Sequence, residues 1–530
     1  MAGRKKGSCD DLRRSGVGGD SETHSARHGV DTNSARNQMM IAAIALTLAL
    51  CENVAVTAAA DGPSFTVTYN AELSDTFTGP VYLMFTESRR GRPSAGPDWF
   101  NPEPFYRINV EDWKPGETLE FGPETAGYPT ALDQLPDGQW RAQAVMRTDL
   151  DGASIAGQHS FVSDVVSIEN GSDSSWPVAI EINTPFKARG MREIPGSRIL
   201  KQRSDLLSDF HGRDIEMKAV AFFPTDFEKD PDRTWPVLYV IGGFPGGLDQ
   251  APMSQMMWRD PSGTQELVIV YLGAECGTGH HVFADSANNG PRGQALVEEF
   301  IPWLESQFPL TALPEARLLT GHSSGGWSSL WLQVTYPDFF GGTWSTAPDP
   351  VDFRAFQEVD IYQEDGNAYQ QMDGSRSAVG RGQDDKPSIY LDDFCQMEEA
   401  IGDGGQIRSF EWVFSPRGED GRPRPLFDRR TGKIDPEVAK AWEAYDISLI
   451  LTRNWETLGP KLKGKVKVYM GNSDTFYLDA AARLMKDRLA ALDADEMIVM
   501  MPGDHSSILF GPLRGQIMKD MKARLLLLNQ

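Results

Sequence analysis

The chain has 530 residues, 40% of them hydrophobic and 24% charged, with a formal net charge of -24 at pH 7 and four cysteines. That charge argues against nucleic acid, whose phosphates would be repelled, and against anionic membrane surfaces. The length implies two or three domains. With no P-loop, dinucleotide fingerprint, C-x-x-C zinc pattern or EF-hand spacing, neither cofactor nor metal is expected.

Residues 1–38 are polar and rich in Ser, Arg, Gly and Asp, a composition that cannot bury a core. Met39–Leu50 is an uncharged apolar run. It is too short to span a bilayer comfortably and has the length of a signal-peptide core. Ala58-Ala59-Ala60 supplies an A-x-A cleavage site before Asp61. Residues 1–60 therefore read as a tail plus a signal peptide or anchor. The expected location is periplasmic or extracellular, with membrane attachment only if residues 39–60 are retained. Cleavage would remove Cys9 and Cys51 and leave Cys276 and Cys395, either paired or as buried free thiols.

Residues 61–185 have a different texture. Ser64–Tyr69 alternates, Val81–Phe85 is a short apolar run, and Trp140–Met146 and Phe161–Ile168 alternate again, with turns such as Leu135–Gly138 between them. Short strands at this spacing predict an all-β sandwich. Its expected role is packing against the rest of the chain, ahead of carbohydrate contact or substrate positioning.

Residues 190–530 alternate strands with helices. Trp235–Ile241 is continuously apolar, as a buried parallel strand is, and ends in Gly242–Gly247. Apolar Ala316–Thr320 leads into Gly321-His322-Ser323-Ser324-Gly325, and Gly326–Gln333 reads as a helix. Strand, G-x-S-x-G and helix are the context of a nucleophile elbow. Trp327, Trp331 and Phe339 read as core. After the strand region Gly342–Ala347 comes an insertion at about 351–455, far longer than an ordinary connection. Within it Glu364–Lys386 is polar, Asp392–Gly402 and Val438–Tyr445 read as helices, and Ser415–Pro425 as a loop. Its place after a sheet strand makes it a cap over Ser323. Arg417, Arg422, Arg424, Arg429 and Arg430 read as a solvated face, with contact to an acidic or sugar-bearing substrate as the alternative.

A serine nucleophile needs a base and an acid. Of eight histidines only His505 follows Ser323, on the loop after the apolar strand Glu496–Met500. Lys465–Met470 alternates as a strand and runs into Gly471–Tyr477, which makes Asp474 the acid. Asp504 and Asp493 are weaker rivals, and Asp479 is expected to cap the helix Leu478–Met485. The order Ser, Asp, His is that of α/β-hydrolases. The oxyanion donors are the N–H of Ser324 and that of Gly243, with Phe244 as second choice. The glycine-rich loop has Ile241 where the HGGG motif has histidine.

From about Ile194 to the end the chain resembles the esterase D-like group of α/β-hydrolases. That group includes feruloyl, acetyl-xylan and enterochelin esterases, with mycolyltransferases as relatives. The resemblance rests on Tyr239–Gly247, Val270–Leu272, Phe283–Ser286, Asn289–Pro291, a helix Ala295–Phe308, Gly321–Gly326, Tyr336–Phe340, Gly471–Asp474 and His505. It implies a doubly wound, mostly parallel α/β sheet. It also implies an immunoglobulin-like module over 61–185, since several esterases of this group carry one. The implied activity is that of an exported serine carboxylic ester hydrolase working through an acyl-enzyme, on a small-molecule or polysaccharide-linked ester. Acyl transfer to a sugar or alcohol is the alternative on the same scaffold, and a non-catalytic polysaccharide-binding protein the alternative of another class. The motifs are specific for a triad and silent on the substrate.

Overall fold

The computed structural model describes residues 62–187, 191–230, 232–260 and 266–526. Met39–Leu50, Ala58–Ala60, Cys9 and Cys51 lie outside them. Among the described residues no helix is long and apolar enough to cross a membrane. Cys276 and Cys395 are both free and buried.

The first part of the described chain is all β. Its strands are β1 (Phe65–Tyr69), β2 (Phe77–Thr86), β3 (Phe105–Trp113), β4 (Leu119–Phe121), β5 (Ala126–Tyr128), β6 (Gly138–Met146), β7 (Phe161–Ser163), β8 (Val166–Asn170) and β9 (Val178–Pro185). Side chains alternate across a strand, so Phe65, Val67 and Tyr69 of β1 are buried and Thr66 and Thr68 are less so. The nine strands form one hydrogen-bonded network in the order β4-β1-β9-β7-β6-β2-β3-β5, with β8 pairing β6. Phe65, Phe85, Tyr106, Trp140 and Ile182 fill its interior. Phe161–Ile168, expected as one strand, is two. β7 pairs both β6 and β9, with a register shift against β9 at Val162/Ser163, and β8 pairs β6 alone.

Eight strands make the second sheet: β10 (Ser197–Arg203), β11 (Glu216–Phe222), β12 (Val237–Ile241), β13 (Val268–Leu272), β14 (Arg317–His322), β15 (Gly342–Thr346), β16 (Val466–Gly471) and β17 (Ile498–Met501). They lie in the order β10-β11-β13-β12-β14-β15-β16-β17. β11 runs antiparallel to both neighbours, and every pair from β13 onward is parallel. This is the expected mostly parallel α/β sheet. β12 and β13 are buried at every position, which explains their uninterrupted Val, Leu, Ile and Tyr. Chain direction across the sheet switches at β12, and the loops beyond the carboxyl ends of β12 and β14 face the same crevice.

The insertion is built into the core. Its helices α2 (Leu391–Ile401), α3 (Gln406–Phe414) and α4 (Pro436–Trp442) follow α1 (Ser324–Thr335), the helix after the elbow. Phe414 lies 5.2 Å from Trp327 of α1 and 5.1 Å from Trp442, and Trp327 stacks on Trp331 at 5.1 Å. The tryptophans of α1 are thus core, as expected. Arg424 pairs with Asp435 and Glu437, and Arg429 with Glu411, so these two arginines have structural partners.

The β region shares a core with the sheet behind it. Tyr82, Met84, Phe105 and Val145 pack in one cluster with Leu238, Trp327 and Phe410. Tyr82 Oη donates to the Ile401 carbonyl at 2.6 Å, and Ala153 N–H donates to Glu275 Oε1 at 2.8 Å.

Two further local expectations differ. The helix expected over Ala295–Phe308 is Arg292–Ala295, a π turn Leu296–Phe300 and Ile301–Gln307. Pro302 has no N–H for a regular α-helical bond, and the wider turn absorbs that defect. Asp479 is not a cap: in α5 (Leu478–Ala490) the cap position is Tyr477, at φ 58, and Asp479 instead accepts from Arg381 at 2.7 Å.

Candidate active site

Ser323 stands between β14 and α1 with φ 58 and ψ -125, a conformation that L residues rarely adopt. Neighbours hold the strain. Ser323 N–H donates to the Thr346 carbonyl at 3.0 Å, and Trp327 N–H donates to the Ser323 carbonyl at 2.9 Å. The two motif glycines are required by contact. A Cβ on Gly321 would sit 2.0 Å from the Gly325 carbonyl oxygen, and one on Gly325 would sit 2.0 Å from that of Ile241. The elbow is thus wedged against the end of β12, where only glycine fits.

The loops after β16 and β17 bring a carboxylate and an imidazole together. His505 Nδ1 is 2.8 Å from Asp474 Oδ2, and both residues are buried. Asp474 is fixed from two sides: its Oδ1 accepts from Phe476 N–H at 2.9 Å, and its carbonyl accepts from Arg381 Nε at 2.9 Å. His505 is flanked by the Phe476 ring at 4.9 Å and the His322 ring at 4.6 Å. Burial, then the nearness of His505, holds His322 well below the usual histidine range and therefore neutral. The rivals for the acid role are elsewhere. Asp504 accepts the N–H groups of Ser506 and Ser507, and Asp493 is exposed.

The Ser323 hydroxyl does not donate to His505 here. It points to Asp349 Oδ1 at 3.4 Å. Asp349 was not singled out by the sequence. It follows β15 between Pro348 and Pro350, at the carboxyl end of a central strand, and that position was the available signal. Its other oxygen accepts from Ser324 Oγ at 2.6 Å, and Gln406 at the start of α3 reaches Ser324 Oγ at 3.3 Å. Burial raises the Asp349 carboxyl from its ordinary 3.8 to about 6, against the bond from Ser324 and the nearby imidazole of His505, which pull it down. An acid raised on folding binds more protons folded than unfolded, so stability falls as pH climbs between about 4 and 6. Asp349→Asn should therefore outlast the wild type at pH 7.5, by about 1–3 kcal/mol, and lose that advantage at pH 4. Thermal melts at both pH values read this, and a difference independent of pH would refute it.

Gly243 lies against the serine: a Cβ built on it would be 3.3 Å from Ser323 Cβ and 3.9 Å from Oγ. Phe244 turns outward to Trp99, with ring centroids 5.4 Å apart. Trp99 belongs to the loop between β2 and β3, and its neighbour Phe100 lies 6.2 Å from Phe476. Beside Phe244 is a cavity of about 760 Å³ lined in part by Trp99, Ile155, Met397 and Gly404. The β region thus contributes walls next to the site.

A family model described as "Putative esterase" matches residues 213–401, a span that contains the Ser323 elbow and ends before Asp474 and His505. Among solved structures the chain is similar to a ferulic acid esterase, at 13% identity over 62% of this chain and 98% of that one, with a TM-score of 0.38. It is also similar to an S-formylglutathione hydrolase from Agrobacterium tumefaciens, at 13% identity over 62% and 97%, with a TM-score of 0.38. A fluorophosphonate-binding serine hydrolase of Staphylococcus aureus is similar at 14% identity over 62% and 97%, with a TM-score of 0.36. No curated protein matches. The family match across a strand–serine–helix elbow makes this chain an enzyme, a serine esterase.

Proposed function

We propose that this esterase hydrolyses carboxylic esters through Ser323, His505 and Asp474. The observation that carries the reading is the buried His505–Asp474 bond of 2.8 Å, at the same end of the sheet as the Ser323 elbow. Ser323 Oγ attacks the ester carbonyl carbon while His505 Nε2 takes its proton. The tetrahedral intermediate collapses, the alcohol leaves with the proton from His505, and an acyl-enzyme remains. Water repeats the sequence and releases the acid. Asp474 accepts from Nδ1 throughout, keeping Nε2 free as a base and stabilising the imidazolium. The N–H groups of Ser324 and Gly243, with Phe244 as the second choice after Gly243, receive the oxyanion. For the first step Ser323 must rotate about Cα–Cβ from Asp349 toward His505; catalytic hydrogen bonds often tighten only when substrate binds.

The insertion acts as a cap, and residues 61–185 as an immunoglobulin-like module whose β2–β3 loop helps to wall the site. Met39–Leu50 and Ala58–Ala60 support export with cleavage near Asp61. The substrate is a small-molecule or polysaccharide-linked ester. A single mass-spectrometric experiment on protein from its native cell tests the mechanism and the export together. A fluorophosphonate should add one label, on Ser323, and the N-terminus should read from about Asp61. A label elsewhere sinks the nucleophile, and a chain beginning at Met1 sinks the processing.

A further inference from the structure

A second cavity, of about 650 Å³, lies where the β region, the loops after β13 and the insertion meet. None of Ser323, His505 and Asp474 lines it. Its charge opposes that of the whole protein: in a chain of net charge -24, seven arginines line it against three aspartates. The aspartates are already engaged. Asp149 accepts the N–H groups of Asp151 and Gly152, Asp151 pairs with Arg213, and Asp403 accepts from Arg422 and Trp412. Arg408 pairs with Glu399.

Four guanidinium groups remain: Arg107, Arg147, Arg292 and Arg417. Each ends on backbone carbonyls, and none makes an ion pair among the described residues. Arg292 is 8% exposed, and its Nε donates to the Asn289 carbonyl at 3.1 Å. A buried cation without a counter-charge is unfavourable. Burial pushes its pKa down, against the smaller opposing pull of Cys276 and Asp151, and Arg213 adds to the downward push. The wall also holds donors without acceptors. Asn289 is 3% exposed, and its Oδ1 accepts from Thr278 while its Nδ2 has no partner; Arg408 Nε has none either.

We propose that this cavity binds a ligand bearing an oxyanion (carboxylate, sulfate or phosphate) in the counter-charge position that the four arginines leave open. The planar fork of arginine suits two oxygens of such a group at once. The contributing arginines come from β3, the end of β6, the segment after β13 and the insertion, so an occupant would tie the β region to the catalytic region. α3 places Arg408 and Trp412 in this wall and Gln406 beside Ser324. The binding claim itself is independent of the esterase mechanism.

Calorimetric titration of the full chain at constant ionic strength tests it, with inorganic phosphate, sulfate and glucuronate as separate probes. At least one should bind saturably at a single site. Arg292→Met and Arg417→Gln should each weaken that binding tenfold or more. Arg417 is exposed at the rim, so its variant keeps the test alive should the buried substitution fail to fold. Glucuronate binding alone would point to an acidic sugar, and phosphate or sulfate binding to an esterified or free mineral anion; either supports the site. No saturable binding by any probe, or equal affinity in both variants, overturns it.

Discussion

Ser323→Ala is expected to cut kcat for ester hydrolysis about a million-fold, the scale seen when a serine nucleophile is removed from an otherwise intact site. The fold should be untouched. Alanine keeps the Cβ already accommodated at φ 58, and the lost hydroxyl bond to Asp349 is long, at 3.4 Å. A small residual rate above that of water should remain, because the oxyanion donors are backbone groups that the substitution leaves in place. Burst kinetics with a chromogenic acetyl ester and a thermal melt check both halves. Activity within tenfold of wild type would place the nucleophile elsewhere.

The second large effect separates two carboxylates. Asp474→Asn should lower kcat about 10,000-fold, because an amide facing Nδ1 favours the wrong tautomer of His505 and leaves the imidazolium without its counter-charge. Asp349→Asn should cost less than about tenfold, since Asp349 touches the serines and not the His505 ring by any hydrogen bond. Asp349 also lies on the loop after β15, a place from which an acid could approach the same histidine. Were Asp349→Asn the crippling change and Asp474→Asn the mild one, the acid role would move to Asp349.

What could be read from the sequence was what local rules encode. Gly321 and Gly325 betray the elbow because a Cβ at either would sit 2.0 Å from a backbone oxygen. β12 and β13 show as unbroken apolar runs because both faces are covered. His505 and Asp474, which the structure brings within 2.8 Å of each other, are marked in the sequence by chain order and by their position beyond two late strands. Asp349 carries only the weak signal of its place after β15: its meaning comes from Ser323, 26 residues away, and Gln406, 57 away, and no periodicity marks such convergence. Trp99 and Phe100 are similar. Nothing in a loop of the β region announces that it will lie against Phe244 and Phe476. Asp479 followed a sound capping rule that lost to a stronger competitor, the guanidinium of Arg381. Of the insertion's arginines, Arg424 stays on a solvated face with an exposed partner in Glu437, whereas Arg429 is drawn inward to the buried Glu411, and sequence shows charges but not their partners.

The continuous apolar cluster that joins Tyr82, Phe105 and Val145 to Leu238 and Trp327 has a consequence for how the molecule comes apart. A module joined by a linker melts on its own and can be moved between enzymes by recombination. Here the described chain from residue 62 onward belongs to one compact unit. Cutting it near residue 190 would expose Tyr82, Met84, Phe105 and Val145, which now sit in the shared cluster, to water. The two parts are therefore expected to unfold together in one cooperative transition, although the β region also keeps an interior of its own.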